Sequence, residues 1–208
     1  MEIKYAIGIP TVNRADLLIP SLICYVKDYP DIKVYVLDNG NQEIEKGFKH
    51  PNIEIIKGND LSVGASWNIL CKKIFEENNM AVIFNDDIYL GLEQRFFERI
   101  MKNKFDILLP PPDWCVFLLP KATYEKVGEF DECFYPAYFE DKSYEYGMRL
   151  SKLNITRTPK LIPFVYRSSQ TLEKNPSIDK YRTKNKEQYL NMWGGMPQRE
   201  KFKTPHNK

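Results

Sequence analysis

Four short apolar runs, each broken by a polar cluster, set the frame for this chain. Ile3 to Ile9 is ended by Pro10, and Ile32 to Leu37 by Asp38-Asn39-Gly40. Asn52 to Lys57 runs into Asn59-Asp60, and Met80 to Phe84 into Asn85-Asp86-Asp87. Runs this short and this rich in Val and Ile predict strands. Helical patterns lie between them. Leu17 to Lys27 follows a polar lead-in at residues 13–16, with Pro20 tolerated only in a first turn. Ser66 to Glu77 places Trp67, Leu70, Cys71, Ile74 and Phe75 at the spacing of one buried helical face. Strands alternating with helices predict an α/β fold, a Rossmann-like, mostly parallel central sheet flanked by helices. Ligands on such a sheet gather beyond the carboxyl ends of the strands. The polar residues Thr11, Asn13, Arg14, Asp38, Asn39, Asn59, Asp60 and Asn85 to Asp87 fall there, so this rim is the expected site.

Composition narrows the class. A chain of 208 residues is long enough for one domain with a core that needs no disulfides. With 43% apolar and 28% charged residues, disorder is excluded as its main state. A net charge of +2 gives no basis for general nucleic-acid binding. The charge is uneven, however: from Leu172 to Lys208, nine Lys/Arg face four Asp/Glu, a local +5. That segment suits a solvated helix face, or peripheral contact with an anionic membrane or acidic acceptor. Cys24, Cys71, Cys115 and Cys133 lack metal or disulfide spacing. No uncharged run exceeds eleven residues, too short for a membrane helix, and Met1 to Lys4 does not open a signal peptide. A soluble, cytoplasmic protein is expected. Neither GxGxxG nor GxxxxGK[ST] occurs, which argues against a dehydrogenase or a P-loop NTPase.

Two acidic pairs carry candidate chemistry. Asp86-Asp87 reads either as turn and cap residues or as ligands for a hard divalent ion that bridges diphosphate oxygens. Its place on the rim, with no P-loop to neutralise phosphate, points to the ion. Glu140-Asp141 opens a helical stretch reaching Leu153, where acids also suit the helix dipole. Aromatic residues crowd the approach to that pair, and a carboxylate so placed can act as general base toward an alcohol. Trp114, Tyr135, Tyr138 and Phe139 are candidates for an acceptor wall, whereas Trp67 suits the core.

In their order and spacing, IGIPTVNRADLL, VYVLDNG, LSVGASWN, VIFNDD, VGEFDE and FEDKSYEYGMRL resemble the GT-A glycosyltransferases of the family 2 type. The resemblance spans Ile7 to Leu153, with NMWGG at Asn191 to Gly195 a weak extension. It implies a GT-A catalytic domain over residues 1–170, followed by a basic helix and tail over 171–208. Residues 1–90 would bind a nucleotide-diphosphate sugar, and residues 91–170 a glycan or glycoconjugate acceptor. Pro10, Thr11, Asn13 and Arg14 would surround base and ribose, and Asp38 would accept from the base, a role that suits uracil and hence a UDP-sugar. Asn39 joins that rim, while Asn59, Gly64 and Asn68 would line the nucleotide pocket. Asp87 would bind Mn2+ or Mg2+ directly, with Asp86 near ribose and metal. Asp141 would be the base, and Glu140 would assist it or bind acceptor hydroxyls.

Two departures stand out. The first position of the DxD-like motif is the neutral Asn85. Where many relatives carry a His after the strand that follows the acidic helix, this chain has Phe164-Val165-Tyr166-Arg167-Ser168-Ser169, so Arg167 or Tyr166 would contact the diphosphate. The reaction implied is a single in-line displacement that inverts the anomeric centre. A non-catalytic nucleotide-sugar or carbohydrate-binding module on the same fold is the alternative, and a sugar nucleotidyltransferase is disfavoured because IPTVNRAD has no glycine. Residues 168–181 read as a polar connector, residues 178–192 as a helix and residues 196–208 as a frayed tail.

Overall fold

In a computed structural model, residues 3–90, 94–111, 113–157, 164–166 and 176–208 are described. The predicted α/β architecture is present as a seven-stranded, mostly parallel mixed sheet flanked by helices. Its strands are β1 (Tyr5–Thr11), β2 (Val34–Asp38), β3 (Ile53–Lys57), β4 (Met80–Phe84), β6 (Ile107–Leu109), β7 (Val116–Pro120) and β8 (Ile155–Arg157), in the order β3-β2-β1-β4-β7-β6-β8. β1 pairs in parallel with both β2 and β4, and β2 with β3. Only β7 runs against the rest. A separate antiparallel pair joins β5 (Ile88–Leu90) to β9 (Phe164–Tyr166).

Alternation along the central strands fills two layers. Ile7, Ile9, Val34, Val36, Val82 and Phe84 face α1 (Ala15–Asp28), where Leu18, Leu22 and Tyr25 meet them. Ala6, Tyr35, Leu37, Ala81 and Ile83 face α3 (Val63–Ile74) through Trp67, Leu70, Cys71 and Ile74. A short α2 (Ile44–Gly47) follows β2, α4 (Gln94–Met101) follows β5, and α5 (Lys121–Val127) follows β7. α6 (Glu140–Leu150) adds Tyr144 and Met148 to the α3 side. α7 (Tyr181–Trp193) packs Tyr189, Met192 and Trp193 on Tyr146 and Phe134 in a third cluster.

Several boundaries differ from the sequence expectation for local reasons. β1 runs through Pro10 to Thr11 instead of ending before the proline. Ile7 donates and Thr11 accepts toward β2 and its flanks, so the even residues face β4. Pairing with β4 stops at Gly8, so the N–H that Pro10 lacks has no ladder partner to miss. α1 begins at Ala15, not Leu17, which makes Pro20 its sixth residue and removes the bond to the Asp16 carbonyl. α3 begins at Val63, not Ser66, because the Ser62 hydroxyl caps it by accepting from Ala65 N at 3.2 Å. The tail is not frayed. Glu200 accepts from Tyr189 Oη at 2.5 Å and pairs with Arg149 at 2.6 Å, while Tyr146 Oη donates to the Phe202 carbonyl at 2.7 Å.

Gly8 permits the close approach of α3 to the sheet. A Cβ there would lie 2.7 Å from Ile83 Cδ1 and 3.2 Å from both Ile74 Cδ1 and Leu70 Cβ. Gly8→Val is therefore expected to lower the unfolding free energy by about 1–3 kcal/mol, the usual cost of overpacking. Urea unfolding monitored by tryptophan fluorescence checks this, and an unchanged midpoint would contradict it.

Candidate functional site

Chain order reverses at β1: β2 and β3 lie on one side of it and β4 on the other. This is the switch point at which the loops leaving adjacent parallel strands part and leave a crevice. A cleft of about 870 Å³ opens there. Pro10, Thr11 and Val12 line it at the end of β1, and Asn85, Asp86 and Asp87 after β4. The two strand ends are tied together, because Thr11 Oγ1 donates to Asp86 Oδ2 at 2.8 Å and accepts from Gln42 Nε2 at 3.1 Å. Asp86 and Asp87 are 6% and 9% exposed, so the pair sits in the cleft wall and not on a solvated loop.

The far wall is the segment before α6. Its Tyr138 and Phe139 both have φ of 80°, and Phe139 occupies the N-cap of α6. That turn delivers Glu140 and Asp141 into the first helical turn, where the helix dipole favours negative charge. Both carboxylates line the same cleft as Asp86 and Asp87. Gly64 lets α3 approach this wall: a Cβ there would lie 2.8 Å from the Asp131 carbonyl oxygen. Trp114 Nε1 donates to Glu145 Oε1 at 2.8 Å, and its ring stacks on Trp67 at 5.9 Å, so the two indoles form a cleft floor continuous with the core.

The two acids of α6 occupy different environments. Glu140 is buried, and its Oε2 has no hydrogen-bond partner. Burial, with the Asp141 charge adding to it, pushes its carboxyl up to about 8, only partly offset by bonds from the Tyr138 and Glu140 backbone N–H groups. Asp141 keeps 23% of its side chain exposed. Burial raises its carboxyl too, but the Lys142 ammonium at 3.3 Å and the Lys142 N–H at 2.8 Å oppose the shift. At neutral pH the arrangement favours a protonated Glu140, while Asp141 lies beside the Lys142 ammonium.

The nucleotide-pocket candidates divide. Pro10, Thr11, Asn39, Asn85 and Asp86 line the cleft, and so do Trp114 and Tyr138 from the expected acceptor wall. Asn13, Arg14, Asp38, Asn59, Gly64 and Asn68 are not among the lining residues. Asp38 is fully buried and pairs with Lys57 at 2.6 Å. Arg14 is buried against Asp16 at 3.0 Å. Asn13 Oδ1 accepts from Asn41 N at 3.1 Å, and Asn59 is exposed. Asn68 is fully buried and makes four hydrogen bonds to Phe130, Glu132 and Tyr124. Trp193 donates from Nε1 to Ser143 Oγ of α6 at 2.7 Å, with Gly194 in the left-handed conformation after it. Arg167 lies outside the described residues; β9 before it ends at Tyr166, the register partner of Ile88, which directly follows Asp87.

Sequence reasoning missed Lys142 and the approach of Lys180, Tyr181 and Arg182 to the cleft. The basic segment was visible, but nothing in its pattern tied it to the rim forty or more residues earlier. Among the described residues no group of three or more His, Cys, Asp or Glu forms a ready-made metal cluster. Asp86 and Asp87 still supply hard oxygen donors of the kind that hold Mg2+ or Mn2+ with one or two carboxylates and leave other positions to phosphate. No described helix is long and apolar enough to cross a membrane.

Comparison with known proteins identifies the fold. No family model matches the chain, and no curated protein does. Among solved structures, a mannosyltransferase from Pyrobaculum calidifontis in complex with GDP-Man and Mn2+ superposes with a TM-score of 0.62 at 13% identity, covering 77% of this chain and 56% of that one. GalNAc-T7 with UDP, GalNAc and Mn2+ gives 0.65 at 10% identity, over 91% of this chain and 51% of the other. A Drosophila β-1,4-galactosyltransferase 7 complex with manganese, UDP-Gal and xylobiose gives 0.54 at 11% identity, over 83% and 74%. The chain thus spans little more than half of the first two proteins, and it shares their GT-A fold.

The burial of Glu140 has a measurable consequence. Above about pH 4.5 the unfolded chain releases a proton that the folded chain keeps until about pH 8. The contribution of this group to stability is therefore full below pH 4.5 and declines as pH rises toward 8. Glu140→Gln is expected to raise Tm by roughly 3–8 °C at pH 8 and by under about 2 °C at pH 5. Equal shifts at both values, read by differential scanning calorimetry, would show that Glu140 titrates normally.

Proposed function

From a GT-A fold with two acidic pairs lining one cleft, we propose that this protein is a glycosyltransferase. It moves a sugar from a nucleotide-diphosphate sugar, with a UDP-sugar favoured, to a hydroxyl of a glycan or glycoconjugate. The observation that carries this reading is that Asp86-Asp87 and Glu140-Asp141, more than fifty residues apart, line the same cleft at the β1–β4 switch point. The solved neighbours support it, since their complexes hold GDP-Man, UDP-Gal or UDP together with manganese.

Each side chain then has a chemical task. Thr11 and Asn39 orient the nucleotide from the β1 and β2 ends, with Pro10 fixing the backbone beside them. Asp87 and Asp86, with the Asn85 amide alongside, would hold Mn2+ or Mg2+, which supplies charge neutralisation for the departing diphosphate. Arg167 is proposed as a further diphosphate contact. Asp141 removes the proton from the acceptor hydroxyl as that oxygen attacks the anomeric carbon. Glu140, protonated, donates a hydrogen bond to an acceptor oxygen. Trp114 and Tyr138 offer ring faces to the acceptor. Attack opposite the departing diphosphate inverts the anomeric configuration, and no sugar–protein bond forms.

One observation favours a second reading. With the neutral Asn85 and no third ligand among the described residues, the chain could bind nucleotide sugars without turning them over. Assaying a panel of nucleotide sugars for hydrolysis or transfer separates the two, since a binding module gives nucleotide affinity and no turnover. For the enzyme, Asp141→Asn is expected to lower kcat by about 10²–10⁴-fold, the range of a lost general base, with UDP affinity unchanged. Unaltered turnover in that variant would move the base elsewhere.

A further inference from the structure

The outer end of the cleft differs in chemistry from its acidic inner end. Tyr181 and Arg182 open α7, and with Lys180 they face the cleft across from Tyr135 and Tyr138. The rings of Tyr135 and Tyr181 meet edge to face at 6.1 Å, and the Arg182 guanidinium lies 4.7 Å from the Tyr138 ring centre. This corner is braced from below. The buried Asn185 donates to the Tyr135 carbonyl at 3.2 Å and to the Ala137 carbonyl at 2.7 Å, and Tyr135 Oη donates to Asp60 at 2.6 Å. Lys180 pairs with no carboxylate among the described residues; its ammonium lies 5.1 Å from the Tyr181 ring centre. Arg182 has one acidic partner, Asp179 at 3.0 Å.

From this corner we infer that the acceptor is an anionic saccharide, one bearing a carboxylate or a phosphate. The inference rests on the proposed transfer reaction and deepens it. If Asp141 takes the acceptor proton, the acceptor must extend from Asp141 past Tyr138, which stands three residues before it. That path leads onto tyrosine faces suited to a sugar ring and then onto Lys180 and Arg182. The ring faces give sequence-tolerant packing, and an acid group on the saccharide completes the coordination of the two cations. A neutral glycan would leave Lys180 without a carboxylate or phosphate partner.

The test uses the full chain and titrates three probes by isothermal calorimetry in the presence of UDP and Mn2+. These are a glucuronate-containing hyaluronan tetrasaccharide, the same tetrasaccharide with its carboxyls reduced to alcohols, and glucose 1-phosphate. At least one anionic probe is expected to bind tenfold or more tightly than the reduced sugar, and the preference should shrink as salt is raised. Tighter binding of the uronate or of the phosphate identifies which acid group is recognised. In Lys180→Gln and Arg182→Gln the preference should fall to threefold or less, while UDP affinity with Mn2+ stays within twofold of wild type. Equal binding of acidic and reduced saccharides would overturn the inference, as would binding of neither anion. A large loss of UDP affinity in Lys180→Gln would also overturn it, by assigning these cations to the donor diphosphate. Absence of UDP binding in the wild type would instead remove the transfer reading beneath it.

Discussion

One carboxamide ties the two halves of the cleft together. Asn68 sits in α3 with no exposed surface, where its Nδ2 donates to the Phe130 carbonyl and to Glu132, and its Oδ1 accepts from Phe130 N and Tyr124 Oη. Four hydrogen bonds at one side chain, three of them buried, leave none of its polar atoms unsatisfied, the condition under which a polar group stabilises a core. Ser62 and Val63 extend the seam by bonding the Glu132 and Pro136 carbonyls. From the other side Asn185 holds the Tyr135 and Ala137 carbonyls. The wall that presents Glu140 and Asp141 is thereby fixed against α3 and the β1–β4 half of the sheet, and the cleft depends on that seam for its shape.

Two carboxyls adjacent in sequence then diverge in character through placement alone. Glu140 lines the cleft from a buried position, without a partner for Oε2, and burial raises its carboxyl to about 8. Asp141 points toward the cleft with an ammonium beside it. Lys142 is in turn held at 2.9 Å by Glu145, which also accepts from Trp114 and from Arg157. The cleft floor and the acidic pair thus share one buried hub, so a change at Glu145 would disturb both.

The strands β1, β2 and β4 were legible because burial on both faces writes them as apolar runs, the half-buried edge strand β3 still carries Ile53, Ile55 and Ile56, and the polar clusters after all four marked the rim. The three-residue strands β5, β6, β8 and β9 are too short to carry a pattern. Polar residue type, by contrast, does not say whether the partner is ligand or protein. Asp38, Arg14 and Asn68 have the chemistry of nucleotide contacts, yet Lys57, Asp16 and the Phe130 backbone occupy them. The tail was misread for a related reason. Its anchors, Glu200 and the Phe202 carbonyl, meet Arg149 and Tyr146 fifty or more residues away, a contact no local periodicity reveals.

The central claim is that Asp86 and Asp87 form, with a divalent ion, the seat of a nucleotide diphosphate. Calorimetric titration of UDP with and without Mn2+ tests it most directly, on the wild type and on Asp87→Ala. The account predicts that Mn2+ tightens UDP binding by at least about tenfold in the wild type, since Asp86 and Asp87 would hold the ion and it would supply positive charge to the diphosphate, and that the gain disappears in Asp87→Ala. UDP affinity that ignores Mn2+, or a gain that survives the loss of Asp87, would contradict it.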